Sequence, residues 1–156
     1  MISIDGIYHL KFPVSDIDRS VRFYETVFGA KRLTELDHFT PEGALFGVIL
    51  DFPGLGTQLQ LKLDLTAAAG YRGTTPVALL VDTLDQLRDC VRRLDELKVP
   101  HSPVLNGLIQ WLIVVEDPDQ LQLRIYSREL HGPEVEPSRN DRWLGNWWKD
   151  ANAAKQ

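Results

Sequence analysis

The stretch YHLKFPVSDIDRSVRFYETVFGA, residues 8–30, decides the fold. It opens on alternation: Tyr8, Leu10 and Phe12 fall on one side, His9, Lys11 and Pro13 on the other. A period of two marks a half-buried strand, here over 8–14. Ser15, Asp16 and Asp18 follow. Their short polar side chains can accept from the free amides of a helix's first turn. Ile17, Val21, Tyr24 and Phe28 then recur at three- and four-residue spacing, widened by Phe23 and Val27. That makes one apolar helix face over 17–28. Gly29 can take the left-handed conformation that ends a helix.

A second copy lies 67 positions on: PVALLVDTLDQLRDCVRRLDELKVP, residues 76–100, again runs strand, acidic turn and amphipathic helix. Val14 aligns with Val81, Ile17 with Leu84, Asp18 with Asp85 and Val27 with Leu94, while His9 aligns with Pro76. The pattern predicts an internal duplication. After the first helix come strand candidates at 31–37, 44–51 and 57–63, separated by turn formers in HFTPEG and FPGLG. Residues 65–75, LTAAAGYRGTT, read as a small-residue linker. After the second helix, 84–97, come candidates at 99–105, 109–115 and 121–126. Asn106-Gly107 signals a hairpin, because both residues tolerate positive φ. Asp117-Pro118-Asp119 makes the last turn. The chain therefore reads as α+β: one domain over 1–127, made of two βαβββ modules at 4–65 and 75–127, and an extension over 128–156.

The extension begins with a Pro- and Gly-containing connector, HGPEVEPSRND, and continues as DRWLGNWWKD. Asp141 can cap a short helix carrying Trp143, Trp147 and Trp148. Each indole buries on the order of 150–250 Å² when packed. The segment is expected to dock on its own domain or on a partner subunit; the alternative is a lid or wall of a ligand cavity.

At 156 residues the chain is long enough to bury a core. With 44% hydrophobic and 25% charged residues its composition is that of an ordinary soluble domain. A formal net charge of −5 argues against nucleic acid, which demands a basic face. One cysteine, Cys90, excludes an internal disulfide and suits a reducing compartment. The start, MISIDG, shows no basic region followed by an apolar run, and no window reaches the ~20 apolar residues of a membrane span. A cytoplasmic location is expected.

HLKFPVSDIDRSVRFYETVFGAK (residues 9–31) and VVEDPDQLQLRIYS (residues 114–127) resemble the opening and closing motifs of the vicinal oxygen chelate superfamily. This is the glyoxalase, bleomycin-resistance and extradiol-dioxygenase group. The resemblance implies two βαβββ modules forming a cupped mixed sheet around a ligand cavity, often in a homodimer. In metal-binding relatives four cavity-facing positions carry His or Glu. Here they fall on His9, Gln60, Pro76 and Arg124. Proline has no ligand atom, and a permanently cationic guanidinium repels a metal. Two usable donors fall short of the three a catalytic metal typically takes. The expectation is no metal and no cofactor. Gln120 also replaces the glycine usual after the DPD turn. His38, His101 and His131 read as surface histidines.

Strand parity places His9 and Lys11 on one face, Gln60 on another, and Gln122, Arg124 and Tyr126 on a third, with Trp111 as core or cavity wall. Around one cup these make a cationic, hydrogen-bonding cluster, in which Arg124 suits a carboxylate or enolate. The bland alternative is that Arg124 pairs with Glu116 or Asp117. Two functions follow. One is a metal-independent binding protein for a small, partly apolar or aromatic, anionic molecule, with His9, Lys11, Gln60, Trp111, Arg124 and Tyr126 as contacts. The other is an enzyme, a lyase, isomerase or dioxygenase, using His9 as acid/base or metal ligand.

Overall fold

Asp16, alone of the three candidate caps, starts the first helix: its carboxylate accepts from Arg19 N at 2.9 Å. The computed structural model describes residues 1–145 and divides them into two units. The first comprises Met1–Thr74 together with Asp117–Leu121. Its elements are β1 (His9–Val14), α1 (Ile17–Phe28), β2 (Lys31–Arg32), a 3-10 turn (Thr34–Leu36), β3 (His38–Phe39), β4 (Leu45–Asp51), β5 (Gln58–Leu63) and α2 (Leu65–Tyr71). Gly29 closes α1 at φ 68°, as its lack of a side chain allows. The sheet runs β1-β5-β4-β2, with β3 also on β4. β1 and β5 are parallel and the other pairs antiparallel. Leu59, Leu61, Val48, Leu50, Phe12 and Val14 are buried on one face of it, and Ile17, Val21 and Tyr24 of α1 are buried with them.

Three expectations for this unit change. Tyr8 lies outside β1 and is 85% exposed. The strand expected over 31–37 breaks after Arg32, because the Arg32 guanidinium grips Asp37 through Nε (3.0 Å) and Nη2 (2.6 Å) and closes the 3-10 turn between them. The linker at 65–75 is largely helix: Asp64 accepts from Ala67 N at 3.0 Å, and the alanines that hide any periodicity are themselves strong helix formers.

The second unit begins at Thr75, runs to Glu116 and resumes at Gln122. It contains β6 (Val77–Val81), α3 (Leu84–Leu97), β7 (Leu105–Asn106), β8 (Gln110–Glu116) and β9 (Gln122–Leu130) in the order β6-β9-β8-β7. Thr83 and Gln86 form a reciprocal cap at the start of α3. The strand register repeats the first unit. Lys11 pairs with Gln60 as Ala78 pairs with Arg124, and Ile49 faces Gln60 as Val114 faces Arg124. The duplication read from the sequence is thus a duplication of sheet topology.

The strand expected over 99–105 shrinks to one bridge, His101 to Val115, and the short β7. Pro100 and Pro103 remove two of the amides a ladder needs. The Asn106-Gly107 hairpin forms, but for a different reason from positive φ, which neither residue adopts. Gly107 donates to Gln110 O at 2.7 Å, and a Cβ there would lie 2.7 Å from that same oxygen. Past β9, Asp141 organises a turn, accepting from Trp143 N (2.8 Å) and Leu144 N (3.1 Å), and the short helix expected from Asp141 runs on into residues outside those described. Trp147 and Trp148 lie outside the described residues. Among those residues no helix is long and apolar enough to cross a membrane.

Candidate functional site

Alternation on β1 and β5 turns the polar residues to the face opposite α1. His9 registers with Gln58 and Lys11 with Gln60, so His9, Lys11 and Gln60 share one face of the first sheet. His9 is half-buried and Lys11 exposed, while Gln60 is only 4% exposed. The Gln60 amide lies over Gly47, where a Cβ would stand 3.5 Å from its Nε2. Its Oε1 is buried and accepts no hydrogen bond. An orphaned acceptor of this kind costs about 1–3 kcal/mol, so its place in the face calls for an outside donor. The His9 ring touches Tyr8 at 4.9 Å between centroids and has no hydrogen-bonded acid beside it among the described residues.

In the second unit the same alternation puts Gln122, Arg124 and Tyr126 on one face with Glu116, Val114 and Leu112. Gln122 Nε2 reaches Glu116 Oε1 at 3.5 Å. Trp111, paired with Asn106, falls on the other side of β8 and meets the His131 ring edge-on at 5.4 Å. The structure therefore groups Arg124 with Tyr126 and sets Trp111 apart from them.

This face is covered by the chain's own extension. Leu144, 3% exposed, joins Leu105, Leu112 and Val114 in a buried cluster, with Tyr126 and Trp143 packed against it. Arg124 Nη2 points at Leu144 O, 3.5 Å away. The extension is moored at β7: Asn106 N donates to Ser138 Oγ (3.0 Å), Asn106 Nδ2 to Glu136 O (3.1 Å), and Ser138 N to Asn106 O (2.8 Å). Leu144 was not legible as a site residue; it stands among three tryptophans that draw the eye, and only the sheet register shows where it goes. At the open end of the face a cleft of about 530 Å³ is lined by Val99, Pro100, His101, Glu116, Gln122, Arg142 and Trp143. His101 is tied there to Asp95 by Nε2 at 3.1 Å.

The two motif stretches meet in a polar lock within the first unit. Tyr24 OH donates to Asp117 Oδ2 at 3.0 Å. Asp117 Oδ1 accepts from Asp119 N (2.9 Å) and Leu121 N (3.0 Å). Asp119 takes a bond from Ser15 N (2.9 Å), a short one from Ser15 Oγ, and an ion pair with Arg19 (2.9 Å). Burial raises Asp117 from 3.8 to about 6, against the bonds from Leu121, Tyr24 and Asp119 that favour its charge. Burial and the neighbouring Asp117 hold the Tyr24 phenol well above its ordinary range. Gln120, in the same turn, sits at φ 63°, where a glycine would avoid a penalty of roughly 1 kcal/mol.

The donors at the four family positions do not fit a catalytic divalent metal. The first unit offers an imidazole, His9, and a neutral amide, Gln60; the second offers Pro76 and the guanidinium of Arg124. Among the described residues no three His, Cys, Asp or Glu side chains gather as ligands.

Comparison with known proteins gives three results. The family model described as Glyoxalase/Bleomycin resistance protein/Dioxygenase superfamily matches residues 6–125. A curated relative, metallothiol transferase FosB of Lysinibacillus sphaericus (strain C3-41), is 33% identical over 100 residues, 63% of this chain and 63% of that protein's length. Among solved structures, TnmS3, an antibiotic binding protein from Streptomyces sp. CB03234, superposes with a TM-score of 0.65 at 22% identity over 83% of this chain and 100% of its own. The fosfomycin resistance protein FosX from Listeria monocytogenes superposes with a TM-score of 0.62 at 15% identity, over 80% of this chain and 92% of that one.

Proposed function

This chain belongs to the Glyoxalase/Bleomycin resistance protein/Dioxygenase superfamily, and we propose that it is a metal-independent binding protein for a small, partly apolar or aromatic, anionic molecule. One observation carries the reading. The register-equivalent sheet positions hold a buried amide, Gln60, and a guanidinium, Arg124, in place of carboxylates, each bordered by apolar side chains. The guanidinium hydrogen-bonds an oxyanion, and neither group brings a metal the negative charge of a carboxylate. TnmS3, which shares the fold, is an antibiotic binding protein, and that supports a binding role. Among the described residues His9 has no acidic side chain hydrogen-bonded to it as an orienting partner for a general base, which weighs against the enzyme reading.

The test uses 2-naphthoate, an aromatic carboxylate, in isothermal titration calorimetry. Arg124→Ala should weaken binding about 10- to 100-fold, the loss of a charge-assisted hydrogen bond worth about 1.5–3 kcal/mol. His9→Ala should change it less than about threefold, since His9 is given no charged contact with the anion. Equal affinity in Arg124→Ala would remove Arg124 as the anchor.

The same reading makes the protein a cytoplasmic homodimer. Its single cysteine, Cys90, suits a reducing compartment, and pairing of cupped sheets is common in the family it resembles. Light scattering should return twice 17.7 kDa; a monomer mass would end the dimer proposal.

A further inference from the structure

The extension over the second sheet offers a view of what that sheet can bind. We infer that residues 136–144 form a strap which occupies the ligand face as a resident competitor, and that this face takes a peptide-like apolar acid. The inference rests on the reading of this face as a ligand site, and it adds the class of ligand and the device that holds it off.

The strap behaves as a ligand would. It places an isobutyl side chain, Leu144, among Leu105, Leu112 and Val114. It sets an indole, Trp143, against the same cluster beside Tyr126. It turns a carbonyl oxygen, Leu144 O, towards Arg124 Nη2. A free molecule with the same parts would seat in the same place, and a carboxylate in place of the amide carbonyl would make the stronger, charge-assisted bond. At 3.5 Å the contact with Leu144 O is long for a hydrogen bond.

The attachment is lopsided. Its polar moorings are at Asn106, at the β7 end, through Glu136 and Ser138. Between that mooring and Leu144 the segment is held by a turn of its own, around Asp141, and Arg142 is exposed with its guanidinium over Trp143 at 5.2 Å. Among the described residues, Leu144 and the Trp143 packed beside it seat this part of the strap on the sheet, away from the Asn106 mooring. The strap lies beyond residues 6–125, which the family model matches.

The experiment uses the full chain. Trypsin cleavage after Arg142 reads the open strap, and titration with N-acetyl-Trp-Leu reads the uncovered face. Leu144→Ala should speed that cleavage about tenfold or more and tighten peptide binding at least about fivefold, because removing an occupant raises the competent population. Saturating peptide should likewise speed cleavage of the wild-type chain. If Leu144→Ala disturbs the fold, Ser138→Ala, which removes only the acceptor for Asn106 N, should shift both readouts the same way by about twofold. Unchanged cleavage, or peptide that slows cleavage by trapping a closed strap, would overturn the inference. If the strap variants leave the peptide unaffected while 2-naphthoate still depends on Arg124, the strap fails and the binding function stands. If Leu144→Ala speeds cleavage and tightens the peptide while 2-naphthoate ignores Arg124, the reverse holds.

Discussion

Tyr24→Ala should cost about 3–5 kcal/mol of unfolding free energy, the range for deleting a fully buried aromatic side chain. Tyr24 is 0% exposed and stacks on Phe28 at 6.0 Å, with Phe23 edge-on at 5.0 Å. It also carries the hydroxyl that holds Asp117. Tyr24→Phe separates the two roles. It keeps the ring and removes the bond, and should cost about 1.5–3 kcal/mol at pH 7, where its acceptor is ionised. Because the Tyr24 hydroxyl favours the charged form of Asp117, Tyr24→Phe should also push that carboxyl above its present value of about 6. Urea denaturation of the three proteins checks the energies, and a carbon-13 carboxyl titration checks the shift. Equal stabilities for Tyr24→Phe and wild type would show that the lock contributes no stability.

The second large effect is the pH dependence of the same lock. Asp117 titrates at about 6 in the folded protein against 3.8 as an ordinary aspartate. Between those values the folded chain holds more protons than the unfolded one. Stability from this group is therefore fully present below 3.8 and is lost as pH rises through about 6. Asp117→Asn is neutral throughout and escapes the loss. Relative to wild type it should gain on the order of 2 kcal/mol between pH 4 and pH 7, as measured by urea midpoints at each pH. A difference that stays constant across the range would mean that Asp117 titrates normally and that its burial is offset by its three donors.

The lock clarifies what the sequence motifs are for. SDIDRSVRFY and EDPDQ read as family signatures, and their residues Ser15, Arg19, Tyr24, Asp117 and Asp119 are spent on each other. A motif that recurs with a fold can mark a brace as readily as a reaction centre. Periodicity located α1 and α3 to the residue, because an apolar stripe at helical spacing has no other use. It failed over 31–37 and 65–75. An Arg32–Asp37 pair closed a 3-10 turn in the first, and alanines without a pattern formed a helix in the second. The polar sheet faces were legible through strand parity, so His9, Lys11 and Gln60 share one and Arg124 and Tyr126 another. Trp111 pairs with Asn106 and lies on the other side of β8 from Leu112 and Val114, against the His131 ring. Docking of the extension was among the expectations, but the place of Leu144 over Arg124 was not legible: a contact 20 residues along the chain depends on where the extension turns, at Asp141.

The central claim is the proposal that Arg124, in the second unit, anchors an anion with no metal at the site. Calorimetry with 2-naphthoate on protein stripped by EDTA, with metal content measured on the same sample, tests it most directly. The account predicts unaltered binding at one site per chain with no stoichiometric metal before or after stripping. Binding that vanishes on chelation and returns with one equivalent of a divalent metal would contradict it.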